Sequence, residues 1–228
     1  MIPLAFLFDV DNTLLDNDGV KRDIDARIKS VVGTAWAAEF WRIYEDVRTE
    51  RDVVDYPVTL DRFRSVCTDP ILYSRIASLV ITYPFAERLY PGALDTIRHV
   101  GTLGTVIILS DGDQLYQRLK IARSGLANAV DHHVLIGMHK EQQLPELLRL
   151  FPAERYVMVD DKPRILSEIK RRLPERFTTV HVVQGKYALD QEHQYTPGAD
   201  VTVSTIADVA RLPVEGFRTG QFPPGMGE

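Results

Sequence analysis

The 228-residue chain carries 27 Lys+Arg against 32 Asp+Glu, a formal net charge of −5, with 45% hydrophobic and 26% charged residues. At about 150 residues per domain, this length suits one large domain or one domain with a sizeable insertion, able to bury a core unaided. The acidic balance argues against a nucleic-acid partner held by a basic field, the lone Cys67 excludes an intrachain disulfide or cysteine-rich metal centre, and no apolar stretch approaches the roughly 18–20 residues of a membrane span.

Residues 1–8 are apolar, lack a basic leader and run straight into Asp9, which reads as a first strand of a cytoplasmic protein rather than a signal peptide. Four short apolar runs, 3–8, 105–109, 134–138 and 156–159, have the length of buried strands, with a fifth at 179–183 and a weaker sixth at 200–203. Helical patterns at 92–100, 113–124, 140–150 and 163–173 lie between them. Strands alternating with helices of this size imply βαβ units, and unbroken apolar strands imply a sheet covered on both faces. The expected fold is α/β: a doubly wound, mostly parallel, Rossmann-like sheet.

Between residues 14 and 89 the alternation fails, and the chain reads as helices at 22–32, 35–51, 59–66 and 71–80. Trp36, Phe40, Trp41 and Tyr44 form one helical stripe, which suits a helix–helix core. The organisation expected is therefore an α/β core of residues 1–14 and 90–215, a helical insert of residues 15–89 with its own core, and a loose tail at 216–228, where Gly and Pro are frequent.

The chemistry sits where the strands stop. The first runs into Asp9, Asp11 and Thr13, the second into Ser110 and Asp111, the third is followed by His139 and Lys140, and the fourth by Asp160, Asp161 and Lys162. Parallel sheets bind ligands beyond the carboxyl ends of their strands, so these residues should converge. Asp9 and Asp11, two apart, can face the same way, and close carboxylates ionise together at low cost only around a cation. All-oxygen ligands favour a hard ion such as Mg²⁺ over zinc. Carboxylates, a hard cation, a hydroxyl and an ammonium suit the handling of a phosphoryl group. Asp113 reads as a helix N-cap, Lys120 as a solvated mid-helix charge, Lys162 first as a loop charge, though it could also reach the site, and Cys67 as a small core residue. His132, His133 and His139 fit no zinc spacing. Arg48 to Arg51 reads as a solvated helix face from which an arginine could reach substrate.

Asp9-Val10-Asp11-Asn12-Thr13, Ser110, Lys140 and Asp160-Asp161, in this order and each after an apolar run, resemble the four motifs of the haloacid dehalogenase-like (HAD) superfamily. The resemblance spans about residues 2–212, and the helical insert stands where that family carries a C1 cap. It implies that Asp9 is the nucleophile and Asp11 the general acid–base, oriented by Thr13. Ser110 and Lys140, with Asp111 beside them, would bind the phosphoryl group. Asp9, the Asp11 carbonyl, Asp161 and Asp160 would hold Mg²⁺. The family's dehalogenases lack an acid–base two residues after the nucleophile, so Asp11 favours phosphoryl transfer. Asp111, where the family commonly has Asn, is expected to turn away or be neutralised. The implied activity is a Mg²⁺-dependent phosphatase acting on a small phosphorylated metabolite through an aspartyl-phosphate, with a phosphomutase or a non-catalytic binding protein on the same scaffold as alternatives. Specificity is expected on the insert and on residues 16–21.

Overall fold

The computed structural model describes residues 4–186 and 195–225. In chain order it runs β1 (Leu4–Phe8), α1 (Asn17–Val32), α2 (Thr34–Arg51), α3 (Tyr56–Val66), α4 (Pro70–Ile81), a 3-10 turn (Phe85–Arg88), α5 (Ala93–Gly101), β2 (Gly104–Asp111) and α6 (Tyr116–Arg123). It continues with α7 (Leu126–Ala129), β3 (Val134–Gly137), a 3-10 turn (Lys140–Gln142), α8 (Leu144–Leu150), β4 (Arg155–Asp160), α9 (Pro163–Arg172), β5 (Phe177–Val182), β6 (Val201–Val203), α10 (Ile206–Val209) and α11 (Val214–Thr219).

The six strands form one parallel sheet in the order β3-β2-β1-β4-β5-β6. Successive side chains of a strand point to opposite faces. Phe6, Phe8, Ile108, Val157, Val159 and Val180 join one buried cluster, and Ala5, Leu7, Ile107, Leu109, Tyr156 and Met158 join another. Both faces are dry, which is why the strands read as unbroken apolar runs. Helix α9 shows how the second face is covered: Ile165, Leu166 and Ile169 are buried, while Arg164, Arg171 and Arg172 are exposed. The chain builds outward from β1 to β2 and β3 on one side and returns to β4, β5 and β6 on the other. The order therefore reverses between β1 and β4, the position where open α/β sheets place ligands.

The helices between β1 and α5 follow local signals. Asp16 caps α1 by accepting from the Gly19 amide at 2.7 Å. Asp55 caps α3 through the Val58 amide at 2.9 Å, and Asp69 caps α4 through Ile71 and Leu72. Pro70 opens α4, where its missing N–H leaves nothing unsatisfied. The stripe reading holds: Phe40, Trp41 and Tyr44 pack edge-on in sequence, Trp36 and Phe40 both meet Phe63 edge-on, and Tyr44 meets Tyr56 at a tilt of 47°. The insert's core is not separate. Tyr56 meets Tyr116 of α6 with ring centroids 4.2 Å apart, so the insert and one face of the sheet share a single cluster. The two crossings between sheet and insert are joined to each other. Leu15 and Leu89 form an antiparallel bridge, Asp16 N donates to Arg88 O at 2.8 Å and Tyr90 N to Leu14 O at 3.0 Å.

Three expectations change. The helix expected over 140–150 is split, because Pro145 has no amide to continue a helix begun at Lys140 and instead sits in the first turn of α8. The helix expected from 113 begins at Tyr116 with Leu115 at its N-cap position, and Asp113 instead holds the turn before it, accepting from the Leu115 and Tyr116 amides at 3.0 and 2.7 Å. The tail expected to be loose from 216 is packed at its start. Phe217 is buried edge-on against Phe6 at 5.2 Å, and its carbonyl accepts from Thr178 at 3.0 Å. Residues 1–3 and 226–228, included in the expected first strand and tail, lie outside the described residues.

Candidate active site

Parallel register does the assembling. Phe8 lies opposite Ile108 on β2 and Val159 on β4, so the next residues, Asp9 and Asp160, leave the sheet side by side. The Asp9 amide extends the ladder by donating to Val159 O at 3.0 Å, and the side chain is 2% exposed. The Lys140 ammonium, fully buried, donates to Asp9 Oδ1 and to Asp160 Oδ2, the latter at 2.8 Å. Asp160 Oδ1 accepts from the Lys162 amide at 2.9 Å. One oxygen from each of Asp9, Asp160 and Asp161 lies within 4.8 Å of the others, and neither oxygen of the buried Asp161 has a hydrogen-bond partner.

This cluster is short of positive charge. Burial raises the Asp9 carboxyl to about 6 despite the attraction of Lys140, with Asp160 adding to the rise. Burial, and then Asp160 and Asp9, push Asp161 well above the usual carboxylate range. Burial works against the Lys140 charge, but Asp160 and Asp9 outweigh it and hold its pKa well above the ordinary lysine value. Counted as ionised, Asp9, Asp11, Asp111, Asp160 and Asp161 face the ammoniums of Lys120, Lys140 and Lys162, leaving two negative charges over. A buried carboxylate with two orphaned oxygens, in an all-oxygen set with that surplus, fits a hard divalent cation.

The neighbouring residues are fixed as tightly. Ser110, at the end of β2, accepts from Gln117 Nε2 at 2.8 Å. Asp111 is held by the Lys140 amide, which donates to its Oδ1 at 2.7 Å, and burial raises its pKa against the attraction of Lys140 and Lys162. Gly112 follows at φ 148°, with Gln117 so close that a Cβ would fall 3.1 Å from it. Thr13 differs from its implied role: its hydroxyl faces Asp9 Oδ2 at 3.4 Å, not Asp11.

Asp11 is held by a residue that sequence reasoning misread. Lys120, expected to be solvated, is 3% exposed and donates to both Asp11 oxygens at 2.7 and 2.9 Å and to Asn17 Oδ1 at 3.1 Å. The available signal was the helical face, since Lys120 shares that of the buried Tyr116, Gln117 and Ile121. The Asp11 carboxylate is thus engaged by Lys120 and is not one of the three that cluster around Asp161. Of the two readings of Lys162, loop charge or site residue, the structure favours the second: it lines the site, where Asp9, Asp161 and Asp160 keep its pKa raised against the opposing effect of burial. Asp9, Thr13, Lys140, Asp160 and Asp161 are brought together, with Ser110 and Asp111 on the adjoining strand.

Above them lies a cavity of about 220 Å³, with a floor that includes Asp11, Asp111, Gln117 and Lys162 and a wall of Lys21, Arg48, Val53 and Val54 from the insert. Asp9 lies beneath this floor, so a substrate reaches it only after a covering side chain moves.

No protein-family model and no curated protein matches the chain. Among solved structures, a haloacid dehalogenase-like hydrolase from Burkholderia xenovorans LB400 is 45% identical with a TM-score of 0.86, over 94% of this chain and 98% of that one. The chain belongs to the haloacid dehalogenase-like hydrolases. Fold likeness extends to the L-2-haloacid dehalogenase of Xanthobacter autotrophicus, solved with chloropropionic acid covalently bound, at 18% identity and TM-score 0.57 over 92% of this chain and 98% of that one. It extends also to the HAD-hydrolase YfnB of Bacillus subtilis, bound to magnesium, at 13% identity and TM-score 0.61 over the same shares. This HAD-like hydrolase has no helix, among the described residues, long and apolar enough to cross a membrane.

Proposed function

We propose that the protein is a Mg²⁺-dependent phosphoric monoester hydrolase acting on a small phosphorylated metabolite. The observation that carries this reading is Asp11, two residues beyond the candidate nucleophile and gripped through both oxygens by Lys120. A halide leaves carbon as a stable anion and needs no proton, whereas an alkoxide leaving phosphorus does. A positioned carboxyl group therefore has work to do in phosphoryl transfer and none in halide displacement.

In the proposed mechanism Asp11 first takes a proton from solvent in place of one of its hydrogen bonds from Lys120; an Asp9 oxygen then bonds to phosphorus as the ester P–O bond breaks, and the departing oxygen takes that proton from Asp11. Water then attacks phosphorus and gives its proton to Asp11. The bond from phosphorus to Asp9 breaks, freeing inorganic phosphate and restoring the Asp9 carboxylate. Lys140 and the Ser110 hydroxyl bind the phosphoryl oxygens, and Thr13 steadies Asp9. Asp9, Asp160, Asp161 and the Asp11 carbonyl would hold Mg²⁺, which when bound offsets the charge of the phosphoryl oxygens. The helices of residues 15–89 act as a cap that keeps bulk water from the intermediate.

The test measures phosphate release from aryl and short alkyl phosphates, with Mg²⁺ and with chelator, alongside halide release from 2-haloacids. Metal-dependent phosphate release is expected. Halide release without phosphate release overturns the reading in favour of a dehalogenase.

A further inference from the structure

The cavity wall contributed by the insert holds an ammonium that Asp11 and Asp18 attract from a distance but that no carboxylate touches. Lys21, one turn into α1, is half-buried and lines the cavity. Its ammonium stands 5.2 Å from the centre of the Tyr44 ring and has neither a hydrogen bond nor an ion pair among the described residues. Every floor carboxylate is already engaged: Asp11 by Lys120, Asp111 by the Lys140 amide, and Asp113 by the amides at the start of α6. Asp52, the remaining carboxylate on the wall, has an 88% exposed side chain. Burial pulls the Lys21 pKa below the ordinary lysine value, as expected for an ammonium stripped of water without a full complement of counter-charge. A cation in this condition binds an anion more strongly than a solvated one does, because much of its desolvation has already happened. Arg48, one helical turn beyond Tyr44, lines the same wall while also holding Glu45 at 2.7 Å.

The residues assigned to the phosphoryl group, Asp9, Ser110 and Lys140, are buried beneath the cavity floor, so the phosphoryl end of a substrate points down past Asp11 and Lys162 and its other end faces the insert wall. The cavity volume, about 220 Å³, lies below the roughly 300–1,000 Å³ of pockets for drug-sized ligands. One unpaired ammonium across a small cavity from a phosphoryl site matches a short molecule with a single further negative charge. We propose that Lys21, flanked by Arg48, reads a carboxylate on the alcohol half of the substrate, which makes the substrate class short phosphorylated hydroxy acids. This inference rests on the phosphoric monoester reading above and adds to it the identity of the leaving group.

Three esters of matched size, 2-phosphoglycolate, ethyl phosphate and phosphoethanolamine, place a carboxylate, nothing or an ammonium at the same distance from phosphorus. The wild-type protein with Mg²⁺ is expected to favour the carboxylate ester over ethyl phosphate at least tenfold in kcat/KM, mainly through KM. Lys21→Met is expected to shrink that ratio about tenfold or more, the size of one charge-assisted hydrogen bond. Lys21→Arg is expected to keep it, and Lys21→Glu to move the preference toward phosphoethanolamine. Ratios within one preparation do not depend on the fraction folded, so a partly unfolded variant still gives an answer. A wild-type ratio near one, or a ratio that survives Lys21→Met, overturns the proposal. Preference for glycerol bisphosphate over phosphoglycolate overturns the single-charge assignment. Hydrolysis of an aryl phosphate without discrimination among the three esters refutes the role of Lys21 alone, whereas no phosphate from any ester refutes the hydrolase reading and this inference with it.

Discussion

The two walls of the cavity are built by opposite rules. On the sheet side, Asp9, Lys140, Asp160 and Asp161 are each at most 2% exposed, set by strand register, and nearly every polar atom is committed to a partner or to the cluster. On the insert side, Lys21 is half-buried without a direct ion pair, the Arg48 side chain is 45% exposed in a pair with Glu45, and the Asp52 side chain is 88% exposed with one oxygen 3.9 Å from His139 Nε2. Buried charge is costly to rearrange and solvated charge is cheap. A fold that fixes one wall with fully buried, paired charge and builds the other from half-buried and exposed charge can vary the second wall without disturbing the first.

The most severe way to probe this division is at its rigid end. Asp9→Asn should leave a folded protein whose kcat on aryl phosphates falls on the order of 10⁴-fold or more, because the proposed nucleophile is gone; retained phosphate release would show that the strand-end carboxylate is not the nucleophile. Next in size is a contrast in stability. Lys140→Met leaves Asp9 and Asp160 buried without their shared cation and should lower stability by about 3–5 kcal/mol, whereas Arg48→Ala on the other wall should stay within about 0.5 kcal/mol. Denaturant titration of both reads the difference, and similar losses would erase the comparison. Lys120→Met should reduce kcat on alkyl phosphates about 10²–10³-fold, with a smaller loss on an aryl phosphate whose phenolate departs without a proton. Equal losses on both would mean that Lys120 supports the fold and does not position Asp11.

The smallest effect concerns metal and pH. The Asp9 carboxyl, raised from 3.8 to about 6, keeps its proton in the folded state between roughly pH 4 and 6, where the unfolded chain has released it. Through that window rising pH draws stability out of the fold, and a cation that takes the proton's place restores it. Mg²⁺ at ten times its Kd should therefore raise Tm by about 3–6 °C at pH 7.5 and by less at pH 5, measured by calorimetry. An equal gain at both values would place the ion away from Asp9.

The sheet and most of the rigid wall were legible in the sequence because both rest on local pattern. Strands buried on two faces have to be continuous apolar runs, and parallel strands bring their trailing residues to one edge, so Asp9, Ser110, Lys140 and Asp160 could be placed together from linear order. What escaped depends on partners distant in the chain. Lys120 was misread because a lysine in a helix is ordinarily solvated, and only Asp11, 109 residues earlier, makes its burial worthwhile. Phe217 was assigned to a tail because the ring that holds it, Phe6, lies at the other end of the sequence. Thr13 was given to Asp11 by resemblance, while its hydroxyl faces Asp9. The split of the helix at Pro145 was available locally and was outweighed by the apolar spacing around it.

The paired crossings at Leu14–Asp16 and Arg88–Tyr90 bear on how Asp9 is uncovered. Two separate strands of chain would let the insert swivel and drift like a weight on two strings. Bonded edge to edge, they form a ribbon that flexes across its flat side and resists shear within its plane. Any swing of the insert is then confined to one axis and must part Tyr56 from Tyr116, and Lys21 and Arg48, which both ride on the insert, would travel along it together.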